Sequence, residues 1–185
     1  MSKLYIGLSG KMGSGKTTLT NGLKEALPSF KIEVVSLAKP IKDIQNMIYK
    51  ELDIEMIGEK DRDLLIALGM WGRGKSDSFW LAQAIKKFEE SDADIVICDD
   101  VRFKNEADYF DLAGILVRLE GTQRGPNVDV SRKNDATEVD LDDYDFTHRV
   151  SNLGNSEDMI VSLLKIIAAR QQVAQELRKE RSSNG

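Results

Sequence analysis

The chain has 185 residues, 41% of them hydrophobic and 31% charged, with a formal net charge of −5. That length supports one well-buried core and one domain. The acidic balance argues against broad, sequence-independent attachment to nucleic acid or to an anionic membrane, so an anionic ligand has to be met by a local cluster of cations.

The first apolar run, "KLYIGLS", reads as a strand. It soon meets Lys11 and Lys16, and matches neither a signal peptide nor a membrane span of about 20 residues. A glycine-rich turn follows, then a helix from 16 to 27 that stops at Pro28. "KIEVVSL" is a second strand. A helix starting near Pro40 has its proline in the tolerated first turn, and "DRDLLIALG" is a helix expected to end at Gly69. Asp77 or Ser78 is placed to cap the next helix, which runs to about Glu90. "ADIVICD" is apolar throughout, as suits a strand covered on both faces; it carries the only cysteine, Cys98, expected as a buried thiol. "DLAG" marks where a helix meets the fourth strand, "GILVRLE". "FTHRVSN" is a weaker fifth strand with His148, the one histidine, as a strand-edge residue. The last helix starts near Ser156 and aligns Ile160, Leu163, Leu164 and Ile167 on one face. Short apolar strands separated by helices predict a parallel sheet in a three-layer α/β fold. Connections of about 55 residues after the second strand and about 25 after the fourth exceed ordinary loops and are expected to be functional.

Between the first strand and first helix, Gly10-Lys11-Met12-Gly13-Ser14-Gly15-Lys16-Thr17 fits G-x-x-x-x-G-K-[ST] in the strand–loop–helix context that motif requires. Glycines let the backbone close around a phosphate chain, so that amide N–H groups and the positive helix end point inward. The ligand implied is a nucleoside polyphosphate, bound by residues 11 to 18 (Lys11, Met12, Gly13, Ser14, Gly15, Lys16, Thr17, Thr18). Lys16 is the mobile charge for the β- and γ-phosphates, and Thr17 is a ligand for Mg²⁺.

The third strand ends in "ICDDVRFKNEAD", where Asp99 and Asp100 leave buried backbone at the place for a carboxylate that holds Mg²⁺; Asp100 is taken as that residue. Arg102 can present a planar guanidinium to phosphate oxygens, with Glu106 positioned to orient it. Lys39, Lys42, Arg62, Arg73 and Lys75 in the first long connection form a second anion site, opposite the loop. Trp71 and Trp80 are expected in the core rather than stacked on a base. The second long connection offers Arg124 and Arg132 for a lid that excludes water. Its acidic cluster, Asp140, Asp142, Asp143 and Asp145, lacks EF-hand spacing and reads as a solvated face.

These residues resemble bacteriophage deoxynucleoside monophosphate kinases, within the wider group of nucleoside-monophosphate-kinase-like P-loop enzymes. The likeness lies in the phosphate loop, in Leu37-Ala38-Lys39-Pro40-Ile41-Lys42, in "RDLLIALG", in Arg73 and Trp80, in the string Asp100 to Asp108, in Asp135-Ala136-Thr137-Glu138 and in Asn152. Ile66 replaces a glutamine of the family pattern and Asp135 a histidine. The resemblance implies a P-loop NTPase fold with a five-stranded parallel sheet in the order 2-3-1-4-5. It further implies a core of residues 1–37, 92–120 and 146–170, a helical acceptor-binding insert at 38–91 and a lid at 121–145.

It also implies transfer of the γ-phosphoryl of ATP, with Mg²⁺, to a deoxynucleoside monophosphate. Lys16, Asp100, Arg102 and Arg124 serve the chemistry, Thr17 and Asp100 the metal, and Lys39, Arg62, Arg73, Trp80, Arg102, Glu106 and Glu138 the acceptor. No membrane or nucleic-acid partner is expected, a homodimer is compatible, and the location implied is cytoplasmic, in the host if the chain is phage-encoded. The rival readings are a kinase resembling dephospho-coenzyme A kinase and a nucleotide-dependent switch, although no N-K-x-D guanine signature is present.

Overall fold

The computed structural model describes residues 3–58, 60–121 and 140–183. Its five strands are β1 (Leu4–Ser9), β2 (Ile32–Val35), β3 (Ile95–Val101), β4 (Ile115–Glu120) and β5 (His148–Ser151). They pair in parallel in the order β2-β3-β1-β4-β5. The helices are α1 (Lys16–Ala26), α2 (Lys39–Glu51), α3 (Arg62–Arg73), α4 (Phe79–Glu90), α5 (Lys104–Ala113) and α6 (Ser156–Ser183). Among the described residues no helix is long and apolar enough to cross a membrane.

Side chains alternate across a strand, and this sorts the core into two layers. Ile6, Leu8, Ile95 and Ile97 face Leu19 and Leu23 of α1 and Met159 and Leu163 of α6. Val96, Cys98 and Leu116 face Leu81, Ala84 and Phe88 of α4 and Phe110 of α5. Each large side chain buried in this way contributes roughly 1.5–3 kcal/mol. Although α4 belongs by sequence to the 38–91 insert, it therefore covers the sheet. Cys98 is fully buried, and desolvation with the Asp100 carboxylate beside it pushes its thiol well above the ordinary range.

One local expectation is corrected. The helix expected to stop at Gly69 runs on to Arg73. Gly69 and Gly72 instead face Trp80: a Cβ at position 72 would lie 2.4 Å from the indole, whose Nε1 donates to the Gly69 carbonyl at 3.0 Å. At the last helix Ile160, Leu163, Leu164 and Ile167 do share the face turned to the core, which Met159 extends; Leu163 and Ile167 are buried and Ile160 and Leu164 partly so.

β1 is central, and the connections from its two sides run in opposite directions, so the carboxyl end of β1 is the switch point at which such sheets bind ligands. In the pairing register Ser9 lies beside Val101 of β3 and Arg118 of β4. The chain then turns into Gly10 on one strand and Arg102 on the next.

Candidate active site

The loop from Gly10 to Gly15 is shaped by positive-φ glycines. Gly13 and Gly15 have φ of 76° and 97°, values that disfavour any side chain. Gly15 caps α1 without a side-chain hydrogen bond, which leaves the amides of the first turn to an anion. Asn152, just past β5, braces the loop from behind: its amide donates to the Ser14 carbonyl at 2.8 Å, and its own N–H to Glu120 O at 2.6 Å. Lys16 Nζ folds back onto the carbonyls of Gly10 and Lys11, at 2.6 and 3.2 Å. Thr17 and Thr18 are exposed at the start of α1, and Met12 at the loop's rim.

The two aspartates that end β3 divide their work by strand parity. Asp100 points to the α4 side, where it accepts from Ser36 Oγ at 2.5 Å and from the amides of Leu37 and Ala38 at 2.8 and 3.2 Å. It ties β3 to the start of α2. Asp99 points to the α1 side. Burial and the Asp100 charge raise its pKa above the usual carboxylate value, while Lys16 and Lys42 pull it down. The carboxylate on which the phosphate-loop lysine acts electrostatically is that of Asp99, whereas the Asp100 carboxylate, expected as the metal ligand, is engaged by residues 36–38. Thr17 and Asp99 supply hard oxygen donors of the kind magnesium takes beside phosphate oxygens.

Glu106 proves to be a brace. It is buried, and its Oε2 accepts the main-chain N–H groups of Arg102 at 2.8 Å and Phe103 at 3.1 Å, closing the N-terminus of α5. Desolvation outweighs those hydrogen bonds and lifts its pKa to about 7. The clamp fixes the turn that delivers Arg102 to the cleft beside Ser9, Gly10, Lys11 and Arg118. It also fixes Phe103, over whose ring the Arg73 guanidinium lies at 4.8 Å. Arg102 and Arg73, from distant parts of the sequence, are thereby brought to adjacent residues of one turn.

Other expected acceptor contacts are placed differently. Lys39 is paired within α2 to Asp43 at 2.7 Å, whereas Lys42 is the lysine that influences Asp99. Arg62 is exposed at the first turn of α3, next to its capping residue Asp61. Trp80 is 5% exposed and built into the α3–α4 contact, so its indole is not presented to a ligand. Trp71, expected in the core, is 54% exposed, with its ring edge-on to Phe79 and Lys75 above it. Arg124, Arg132, Asp135 and Glu138 lie outside the described residues.

Sequence reading passed over Arg118 and took Asp142 as part of a solvated acidic face. Lys11 Nζ meets Asp142 Oδ2 at 2.9 Å, and Arg118 donates to Asp142 Oδ1 at 3.2 Å and to Ser9 Oγ at 3.0 Å. An arginine flanked by the apolar Val117 and Leu119 in a strand was the available signal.

Among known proteins, the sequence model of the phosphomevalonate kinase family matches residues 8–113, more than half of the chain, from the phosphate loop through α5. No curated protein sequence matches. Similar solved structures include TT1252 from Thermus thermophilus (17% identity, 92% of this chain and 98% of that one, TM-score 0.56). A gluconokinase from Sinorhizobium meliloti 1021 is similar at 15% identity, over 96% of this chain and 97% of that one, with TM-score 0.53. Shikimate kinase from Aquifex aeolicus vf5 is similar at 13% identity, over 91% and 99%, with TM-score 0.52. At such identities the likeness is one of fold. With a phosphate loop at the switch point of a five-stranded parallel sheet, and a family match that spans that loop and the arginine-bearing turn after β3, the chain belongs to the phosphomevalonate kinase family of P-loop phosphotransferases.

Proposed function

We propose that the protein transfers the γ-phosphoryl of ATP onto the phosphate of a deoxynucleoside 5′-monophosphate, giving the diphosphate and ADP. The observation that carries a phosphorylated acceptor is Arg102, on the turn held by Glu106, lining a cleft with Gly10 and Lys11 of the phosphate loop, with Arg73 over the ring of the neighbouring Phe103. Two anions repel as they meet, and cations fixed on both sides of the transfer point offset that repulsion. An acceptor phosphate is already largely ionised near neutral pH, so no strong general base is required, and positioning plus charge stabilisation account for most of the rate.

In this reading the amides from Gly13 to Thr17 bind the β-phosphate, and Lys16 leaves its two carbonyls to follow the γ-phosphoryl. Arg102 stays with the moving charge, while Arg73, with Arg62, holds the acceptor. Thr17 and Asp99 are the residues that would hold magnesium, which supplies neutralisation of the β- and γ-phosphate oxygens when bound with ATP. Arg124 and Glu138 remain assigned to the lid by resemblance.

The nucleotide acceptor is supported by the string from Asp100 to Asp108. A second reading, phosphomevalonate as acceptor, is favoured by the family match. Both acceptors carry a phosphate monoester and need the same cations; they differ in what surrounds it. A coupled assay with ATP and Mg²⁺, offering each deoxy- and ribonucleoside monophosphate, phosphomevalonate, dephospho-coenzyme A and no acceptor, separates them. ADP release that depends on a deoxynucleoside monophosphate is expected. Turnover with phosphomevalonate alone would transfer the proposal to that acceptor, and turnover without any acceptor would defeat both.

A further inference from the structure

We infer that Arg118 is a phosphate-binding residue of the donor site and that Asp142 occupies the place of a phosphate group between Arg118 and Lys11 until nucleotide binds. The inference rests on the donor-site reading above and extends it to β4 and to the segment before β5, both beyond the stretch matched by the family.

Four observations converge. Arg118 is the direct register partner of Ser9, the residue that leads into the phosphate loop, and it donates to the Ser9 hydroxyl. Its side chain is only 13% exposed, between the Phe146 ring at 5.4 Å and that loop. A guanidinium so far removed from water needs an anion close by. The anion it has is Asp142, whose two oxygens divide between Arg118 and Lys11. A carboxylate shared by a guanidinium and an ammonium presents the acceptors that a phosphate would.

The third observation is the weakness of this arrangement. Asp142 and Lys11 have side chains 44% and 38% exposed, and solvent-exposed ion pairs contribute little. A polyphosphate offering more charge to the same two cations therefore displaces the carboxylate. The fourth is an opening of about 260 Å³ that Lys11, Ser14, Arg118 and Asp142 share with Arg149. The Ser14 hydroxyl, 2% exposed, has no hydrogen-bond partner among the described residues. A buried hydroxyl without a partner is rare and points to a ligand. Arg149 in that opening is paired to Glu120, and among the described residues Asp142 is the carboxylate that Lys11 and Arg118 meet there.

The test is calorimetric binding of two probes, a non-hydrolysable ATP analogue and inorganic tripolyphosphate, to wild type, Arg118→Met, Arg118→Lys and Asp142→Asn, with a thermal melt of each. Loss of a charge-assisted contact to phosphate predicts about 10- to 100-fold weaker binding of both probes by Arg118→Met, with partial recovery in Arg118→Lys. Removal of the competing carboxylate predicts several-fold tighter binding by Asp142→Asn. Wild-type affinity in a folded Arg118→Met protein overturns the inference, and so does Asp142→Asn binding no more tightly than wild type. Should Arg118→Met fail to fold, Arg118→Lys and Asp142→Asn still decide the matter through their opposite signs. Failure of the kinase reading is separable: wild type would bind both probes yet pass no phosphoryl group to any acceptor.

Discussion

The phosphate loop and the turn after β3 are both strand-to-helix junctions at the carboxyl edge of one sheet, yet they are built on different principles. The loop is local: its glycines, Lys16 and the unblocked amides of α1 are contiguous, and its backbone is braced by Asn152 from the end of β5. The turn is assembled at long range. Asp100 binds residues 36–38, Glu106 holds Arg102 and Phe103, and Phe103 supports Arg73 from α3. A local device is damaged chemically by one substitution with little effect on stability, whereas an assembled one couples chemistry to packing.

The sharpest break in that comparison is Lys16→Ala, expected to fold normally and to lose about 10²- to 10³-fold in kcat, as for other preorganised electrostatic contacts. Steady-state kinetics beside a thermal melt measure both. On the turn, Arg102→Lys retains the charge and loses the planar fork, and a fall of at least about tenfold in kcat/KM is expected; equality with wild type would place Arg102 outside the site.

The aspartate pair separates the two principles within two residues. Asp99→Asn is expected to lower kcat about 10²-fold with a melting temperature at or above that of wild type, since a half-buried carboxylate with a raised pKa is replaced by a neutral amide. Asp100→Asn should do the opposite, losing about 1–3 kcal/mol of stability as donors from residues 36–38 lose their carboxylate. Reversed phenotypes would return the metal-ligand role to Asp100.

Smaller effects sharpen the packing side. Gly72→Ala drives a methyl into the Trp80 ring, so a loss of about 1–3 kcal/mol exceeds the helix-propensity gain of at most about 1 kcal/mol; denaturant titration gives the sign. Glu106 supplies a pH signature. Its carboxyl titrates near 4.5 when unfolded and about 7 when folded, so the folded chain holds the extra proton. That stability is present below about pH 4.5 and is lost as pH rises through about 7, by up to about 3 kcal/mol. Glu106→Gln keeps an acceptor for the two amides and removes the titration, so its melting temperature should vary less than that of wild type between about pH 5 and 8.

The same contrast explains what the sequence could reveal. The loop was readable because its motif, strand and helix are adjacent, and the first four strands because each centres on a short apolar run, the fifth, His148–Ser151, giving the weaker signal. Adjacent residues of a strand point to opposite faces, but nothing local says that α1 covers the Asp99 face and α4 the Asp100 face. Gly69 looked like a helix end because its partner, the Trp80 indole, belongs to another helix. Lys39 and Lys42 both looked like acceptor contacts until Asp43 engaged one of them. Arg118 was hidden by being one charge among apolar neighbours in a strand, with Ser9 more than a hundred residues away.

The central claim is that a phosphoryl group crosses from a donor held by β1–α1 to a phosphate held beside β3. Phosphorus NMR of the protein mixed with ATP, Mg²⁺ and a deoxynucleoside monophosphate follows the group itself. Growth of a deoxynucleoside diphosphate β-phosphorus signal in step with ADP, without matching inorganic phosphate, is the expected result. ADP accompanied only by inorganic phosphate, with the monophosphate signal unchanged, would contradict it.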